Sequence, residues 1–412
     1  MPKRSFWVGL IILCQIVLLW VGWTPSASAS TQEQQLFSEA WRIVSQAYVD
    51  DSFNEQNWWL VRQNTLKKGL ENRDATYKAI QGMLATLDDP YTRLLKPSQY
   101  RSLKVNTSGE LSGVGLQIAL DDETGQLAVV APIAGSPAEE AGIQPRDRIV
   151  AIDGETTDTL TLDEAAARMR GPVGTSVTLS IQSKDEQPRV IELVRDRIAL
   201  NPVYAALDSE SNNIPIGYIR LTQFSANAPT EVETAINRLE KKGANAYILD
   251  LRNNPGGLLQ AGLEIARLWL DRGTIVYTVN RNGMMGSFDA FGQAITEAPL
   301  VVLVNQGSAS ASEILAGALQ DNGRAQLVGE RTFGKGLIQS LFDLSDGSGL
   351  AVTVAKYETP NHRDINKLGI TPDWEVSLDP MPVTRVGTAS DRQYQAAVEL
   401  LTGDSVLATK AA

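Results

Sequence analysis

The sequence predicts a multidomain chain of mixed α+β and α/β class: a helical N-terminal region, a compact α+β module, and a core of layered β-sheet and helices. Three observations predict it. The chain has 412 residues and 44.7 kDa, too long for one small domain and suited to two or three. Apolar residues make up 43% and charged residues 21%, which permits a sizeable core and excludes global disorder. The hydrophobic periodicity also changes along the chain, dividing it into 30–103, 104–197 and 198–385, with 386–412 as a C-terminal helix and tail.

Residues 1–29 read as an export signal. Met1–Arg4 is basic, Phe6–Trp23 is an apolar run of 18 residues broken only by Gln15, and Ala27-Ser28-Ala29 is a small-x-small cleavage site. A run of that length also just spans a bilayer, so a cleaved signal and an uncleaved anchor are both open, with the Ala-x-Ala site favouring cleavage. Cys14 follows Ile-Ile-Leu and precedes more apolar sequence, which excludes a lipoprotein.

In 33–102, Phe37, Trp41, Ile43, Val44 and Tyr48 recur at helical spacing, as do the apolar positions of Tyr77–Leu87, and Asp89-Pro90 stops that helix. The Trp58-Trp59 pair reads as packing rather than as a ligand platform. The middle region alternates short β-type runs (116–120, 127–131, 148–152, 176–181) with helices at 137–141 and 162–169. The third region reads as strand 216–221, helix 228–242, strand 246–251, helix 258–270, strand 300–304 and helix 310–320, an order that predicts a sheet with helices on its faces. A short amphipathic helix near 394–401 follows.

Charge and composition restrict the chemistry. A net charge of −11 argues against nucleic acid and anionic membrane surfaces as partners. One Cys cannot form an internal disulfide, and one His leaves almost no room for zinc or His-based catalysis. That His, His362, lies in the polar turn Thr359–Asp364 and reads as a solvated loop residue. No metal or nucleotide is expected.

In an open α/β sheet, ligands sit where strands run out into helices. Two crossings stand out: Asp250-Leu-Arg-Asn-Asn-Pro-Gly-Gly257, and Asn305–Ile314 with three serines. A serine opening a helix is either an N-cap or a nucleophile whose oxyanion faces free backbone N–H groups. A nucleophilic serine needs a base. With His362 set aside as a solvated loop residue, the remaining base chemistry is a lysine kept neutral by burial. Lys335, flanked by glycines in Thr332-Phe-Gly-Lys-Gly-Leu-Ile338, fits that setting.

These motifs together resemble the carboxyl-terminal processing proteases, the tail-specific Ser/Lys peptidases. The resemblance is carried by Ser308–Ile314, Gln320-Asp321, Gly329–Gly336, Asp250–Gly257, Gly369–Asp373 and Leu87–Thr92, and it covers nearly all of 33–378. It implies Ser310 as nucleophile, Lys335 as general base, and the N–H groups of Ala311 and Gly256 as oxyanion donors. It also implies Gln339 as the residue orienting the lysine. That role calls for a helical turn after Lys335, since an extended strand would set the two about 13 Å apart. Asp321, about three helical turns beyond Ser310, reads as structural.

The middle region resembles a PDZ domain. Its Gly113-Val114-Gly115-Leu116 loop would capture a peptide carboxylate, with the peptide adding beside 116–120. Arg170, in Arg-Gly-Pro-x-Gly-Thr, would couple this domain to the active site. The run 344–370 is similar to the branch of oxygenic phototrophs. Those enzymes trim the C-terminal extension of a photosystem II reaction-centre core precursor in the thylakoid lumen. The resemblance therefore implies an exported serine endopeptidase of lumen or periplasm acting on a protein substrate with a free C-terminus; peripheral membrane association is compatible with it. A general tail-specific protease of exported proteins and a catalytically silent PDZ adaptor are the alternatives, and the presence of both Ser310 and Lys335 argues against the adaptor.

Overall fold

The computed structural model describes residues 31–121, 124–133, 135–183, 186–209, 214–283, 285–377, 387–388 and 390–403. The expected export signal and the end of the tail lie outside them.

The N-terminal region is helical, as the spacing predicts. α1 (Gln32–Ala47) opens with a Thr31/Gln34 capping box, and α2 (Trp58–Lys67) and α3 (Arg73–Ala85) open on the side-chain caps Asn57 and Asn72. Trp58 is buried and stacks on Phe53 at 5.1 Å. Trp59 is 60% exposed, because α2 turns only one face inward, so the packing expectation holds for one member of the pair. A short strand, β1 (Arg93–Leu95), follows, and then α4 (Pro97–Ser108).

The middle module is entered on β2 (Glu110–Gly113). It contains β3 (Leu116–Leu120), β4 (Leu127–Pro132), α5 (Pro137–Glu140), β5 (Arg148–Ile152), β6 (Glu155–Thr156), α6 (Leu162–Met169), β7 (Ser176–Gln182) and β8 (Arg189–Val194). It is left on β9 (Asp196–Ala199), which pairs antiparallel with β2. The sheet runs β3-β4-β5-β7-β8, so β3 is an edge strand.

The third region contains β10 (Val203–Asp208), β11 (Ile216–Leu221), α7 (Ala228–Lys241), β12 (Ala246–Asp250), α8 (Leu259–Trp269), β13 (Arg272–Asn280) and β14 (Met285–Phe291). It continues through β15 (Leu300–Val304), α9 (Ala311–Asp321), β16 (Gln326–Gly329), β17 (Leu337–Asp343), β18 (Gly349–Glu358), β19 (Trp374–Glu375) and α10 (Arg392–Thr402). Its main sheet has the order β10-β11-β12-β15-β16-β19, parallel from β11 onward. Every residue of β12 and β15 is buried, as expected of parallel strands covered on both faces. Helices α7, α8 and α9 cover one face and α10 the other.

A second, antiparallel sheet runs β1-β18-β13-β14 with β17 on β18, and α1–α3 pack on its β17–β18 hairpin through Leu344, Leu350 and Val352. Glycines and polar residues dilute the apolar alternation of these strands, so the sequence pattern alone does not single them out.

Two polar clusters fix the core. Arg252, just beyond β12, is clamped by Asp250 (2.6 Å) and by Asp391 of the α10 cap (2.7 Å), all buried. Gln393 is a third acceptor residue for the same guanidinium. The second cluster joins α1 and α3 to the β17–β18 turn: Arg73 bridges Glu33 and Asp346, and Tyr77 donates to Asp346 at 2.7 Å. Burial would raise the Asp346 carboxyl, but bonds from Ser348, Tyr77 and Arg73 outweigh it and hold the group at about 2 against an ordinary 3.8. A depressed carboxyl stabilises the fold above its unfolded value and loses that contribution as pH falls. The helical region should therefore loosen between about pH 4 and pH 2. Asp346→Asn should lower stability at neutral pH by about 1–3 kcal/mol and flatten that acid transition, read by Trp fluorescence.

Candidate active site

The two crossings singled out in the sequence meet at the carboxyl end of the main sheet, stitched by their own polar atoms. Asn254 O accepts from Ala309 N–H (3.0 Å) and Ser312 Oγ (2.9 Å), and Leu251 O accepts from Ser308 Oγ (2.8 Å). Ser308 and Ser312 are fully buried and their hydroxyls hold the loop. Ser310 stands between them and faces a cavity of about 520 Å³.

Ser310 has φ 56° and ψ −114°, a left-handed conformation a serine adopts only under constraint. It occupies the N-cap of α9 in a capping box with Glu313, its side chain towards the Glu313 N–H but without a full cap hydrogen bond. The carboxylate of Glu313 completes the box, accepting from Ser310 N–H at 2.9 Å. Cap and nucleophile are thus not exclusive readings here: Ser310 takes part in the capping box with Glu313 and also opens on the cavity.

Glu313, wholly buried, does more. Its Oε1 accepts from Thr332 Oγ1 (2.6 Å) and Gly334 N–H (2.7 Å), and its Oε2 also accepts from Lys335 N–H (2.9 Å). One side chain therefore fixes the backbones of both Ser310 and Lys335. Tyr357, buried beside it, donates to Ser310 O at 3.2 Å, and burial raises its phenol well above the ordinary value. Glu313 falls inside the Ser308–Ile314 motif, three residues after Ser310. That spacing is the readable signal of a capping box.

Lys335 lines the same cavity, half-buried, with Nζ 5.0 Å from the centre of the Tyr91 ring. Burial holds its ammonium below the ordinary 10.5; the charge of Arg93 pushes the same way, and Glu313 and Asp89 oppose it. Gln339 is also in the cavity lining, but the stretch after Lys335 is not a helical turn. It is β17, with a β-bulge between Ile338 and Gln339 imposed by pairing to β18. The Gln339 carboxamide donates to Thr353 Oγ1 (3.4 Å), which itself donates to Asp89 (2.7 Å).

The expected oxyanion donors are adjacent. Gly256 has φ 96°, and a Cβ there would lie 2.6 Å from Ala309 O and 2.9 Å from Ala311 N, so only glycine lets the loops approach. The Ala311 N–H has no hydrogen-bond partner among the described residues. The Gly256 N–H does have one: Asn254 Oδ1 accepts it at 2.9 Å, because the buried Asn254 side chain folds back over its own turn. The expectation of a free donor at Gly256 is corrected to an occupied one. The neighbouring Gly257 N–H is unpartnered among the described residues.

The sequence reading of the cavity also missed Tyr91 and Arg93, contributed by the N-terminal region, and Gln223. His362 is exposed, stacked on Tyr277 at 4.3 Å and 3.1 Å from Glu358, and does not line the cavity. Asp321 accepts from Asn361 N–H and Arg363, tying the turn after β18 to α9.

In the middle module, Gly113–Leu116 lines a groove of about 360 Å³ between edge strand β3 and helix α6, with Leu111, Ile118, Leu162, Ala166 and Met169 as apolar walls and Arg170 at one end. An extended peptide could pair with β3 there. Among the described residues no helix is long and apolar enough to cross a membrane.

Comparison with known proteins places these features in context. Residues 215–376 match the model of peptidase family S41, and residues 129–183 match a PDZ domain. The chain is 61% identical over 409 residues to a carboxyl-terminal-processing protease of Picosynechococcus, covering 99% of each. It is 49% identical to carboxyl-terminal-processing peptidase 2, chloroplastic, of Arabidopsis thaliana, across 85% of this chain and 70% of that one. A solved structure of a photosystem II D1 C-terminal processing protease superposes with TM-score 0.57 at 40% identity, covering 92% of this chain and 99% of the other.

Proposed function

The chain belongs to the carboxyl-terminal-processing proteases of peptidase family S41, and from that premise we propose that it is an exported Ser/Lys endopeptidase that removes a C-terminal extension from the photosystem II D1 precursor. The observation that carries the catalytic part is that Ser310 and Lys335 line one cavity with both their backbones bonded to Glu313. Lys335, neutral, takes the proton of Ser310 Oγ as the oxygen attacks the scissile carbonyl; the Ala311 N–H and a glycine N–H of the 256–257 turn receive the oxyanion. The lysine ammonium then protonates the leaving amine, and water activated by the same lysine releases the acyl group. Gln339, in the lining of the same cavity, is the residue proposed to orient the lysine, from strand β17 and not from a helical turn. The substrate tail lies along β3 with its carboxylate at Gly113–Leu116. A homologous D1-processing enzyme and chloroplastic relatives support the substrate and the lumenal or periplasmic compartment.

The test uses purified residues 30–412 and a peptide ending in a D1 precursor tail, with free and amidated C-termini. Cleavage that vanishes in Ser310→Ala and weakens on amidation is expected; tail binding without cleavage by the native protein would instead favour an adaptor. A base held as an ammonium at low pH is inactive, so kcat/KM should rise with pH as Lys335 loses its proton, reaching its plateau below the ordinary lysine value. Lys335→Arg, which stays protonated, should be inactive throughout, and a rate independent of pH would exclude the lysine base.

A further inference from the structure

We propose that the Tyr91–Arg93 segment of the N-terminal region is a third part of the active site that sets the charge of Lys335, Tyr91 favouring the ammonium and Arg93 opposing it. The proposal rests on the reading of Lys335 as the base. The two side chains reach the same cavity as Ser310, while Thr92 between them is buried and turned to β18, where its Oγ1 accepts from Thr353 N–H at 3.0 Å. The segment is held from both ends. Asp89 accepts from Tyr91 N–H (2.9 Å), Thr92 Oγ1 (2.7 Å) and Thr353 Oγ1 (2.7 Å), and Arg93 pairs with Ala351 in the sheet. Tyr91 is thus not a floppy neighbour but a ring fixed 5.0 Å from the lysine nitrogen.

An aromatic face at that distance attracts an ammonium and is indifferent to an amine. Lys335 acquires its charge only when the Ser310 proton arrives, so the ring stabilises the state that follows proton transfer more than the resting one. That is the kind of interaction that raises kcat. Arg93 is exposed and makes no ion pair among the described residues, so its guanidinium, screened by solvent, adds to burial in disfavouring the ammonium. The other groups around Lys335 are Glu313 from α9 and Asp89, both favouring the ammonium, with Gln339 from β17 and the phenol of Tyr357 from β18 completing the lining. A ring and a guanidinium two residues apart therefore act on one nitrogen with opposite sign.

The experiment measures the Lys335 titration directly. In full chains carrying Ser310→Ala, acetylation of Lys335 by acetic anhydride is followed against pH by peptide mass spectrometry, alone and with Tyr91→Phe, Tyr91→Leu or Arg93→Gln. Tyr91→Leu should lower the midpoint by about half a pH unit, Arg93→Gln should raise it, and Tyr91→Phe should leave it in place. In the serine-intact enzymes the rising limb of kcat/KM should move the same way, with Tyr91→Leu reducing kcat several-fold at unchanged KM. Generic loosening of the site cannot move two midpoints in opposite directions, and Arg93→Gln alters only an exposed side chain. Midpoints of Tyr91→Leu and Arg93→Gln that coincide with the parent would overturn the proposal. Midpoints that move while Lys335→Ala still turns over substrate would overturn the base reading instead.

Discussion

Ser310→Ala and Lys335→Ala should each lower kcat on the order of 10⁶-fold, and the double variant should lose no more than either alone. On the proposed mechanism the two residues share one proton transfer, so removing either partner removes the whole step and leaves only binding and the oxyanion donors. Structure supports testing them as a unit: both backbones are anchored on the same carboxylate, so truncating either side chain leaves the loop geometry in place. Tail binding in the groove beside β3 should be unchanged in all three proteins, measured with the peptide of free C-terminus. Losses that multiply in the double variant would show that serine and lysine act in separate steps.

Glu313→Gln is the second large effect. The wild-type carboxylate accepts from Ser310 N–H, Lys335 N–H, Gly334 N–H and the Thr332 hydroxyl. An amide keeps the shape but presents its NH₂ to at least one pair of those donors. In a fully buried position each unsatisfied donor costs about 1–3 kcal/mol, so the melting temperature should fall by several degrees. A displacement of about 1 Å between serine and lysine would lower kcat roughly 10²-fold with KM little changed. A variant that melts early but keeps native kcat would show that Glu313 holds the fold and not the geometry of the pair.

The sequence reached far into this molecule where a residue's local setting decides its structure. Strands 116–120, 148–152, 216–221 and 300–304 have the bounds expected of them, because short, mainly apolar runs between turn residues have few other solutions. The loops around Ser310 and Lys335 stood out because glycines and small residues announce tight turns at strand ends, while the roles of the two residues came from the family resemblance. The β13–β14 and β17–β18 hairpins escaped notice, since their pattern is set by which neighbours cover them and not by their own alternation.

What the chain by itself determined is therefore the order of its modules, the elements of the parallel sheet, and the loops from which chemistry could come. Tertiary structure decided the rest. It decided which of three neighbouring serines opens on the cavity, because Ser308 and Ser312 find carbonyl partners only once the two loops meet. It set Gln339 on a bulged strand against Thr353, and gave the Gly256 N–H to Asn254. It also carried Tyr91 and Arg93, some 240 residues earlier in the chain, to the side of Lys335. Sequence patterns report the periodicity of one segment at a time, whereas a polar atom's partner is fixed by burial between segments that meet only on folding.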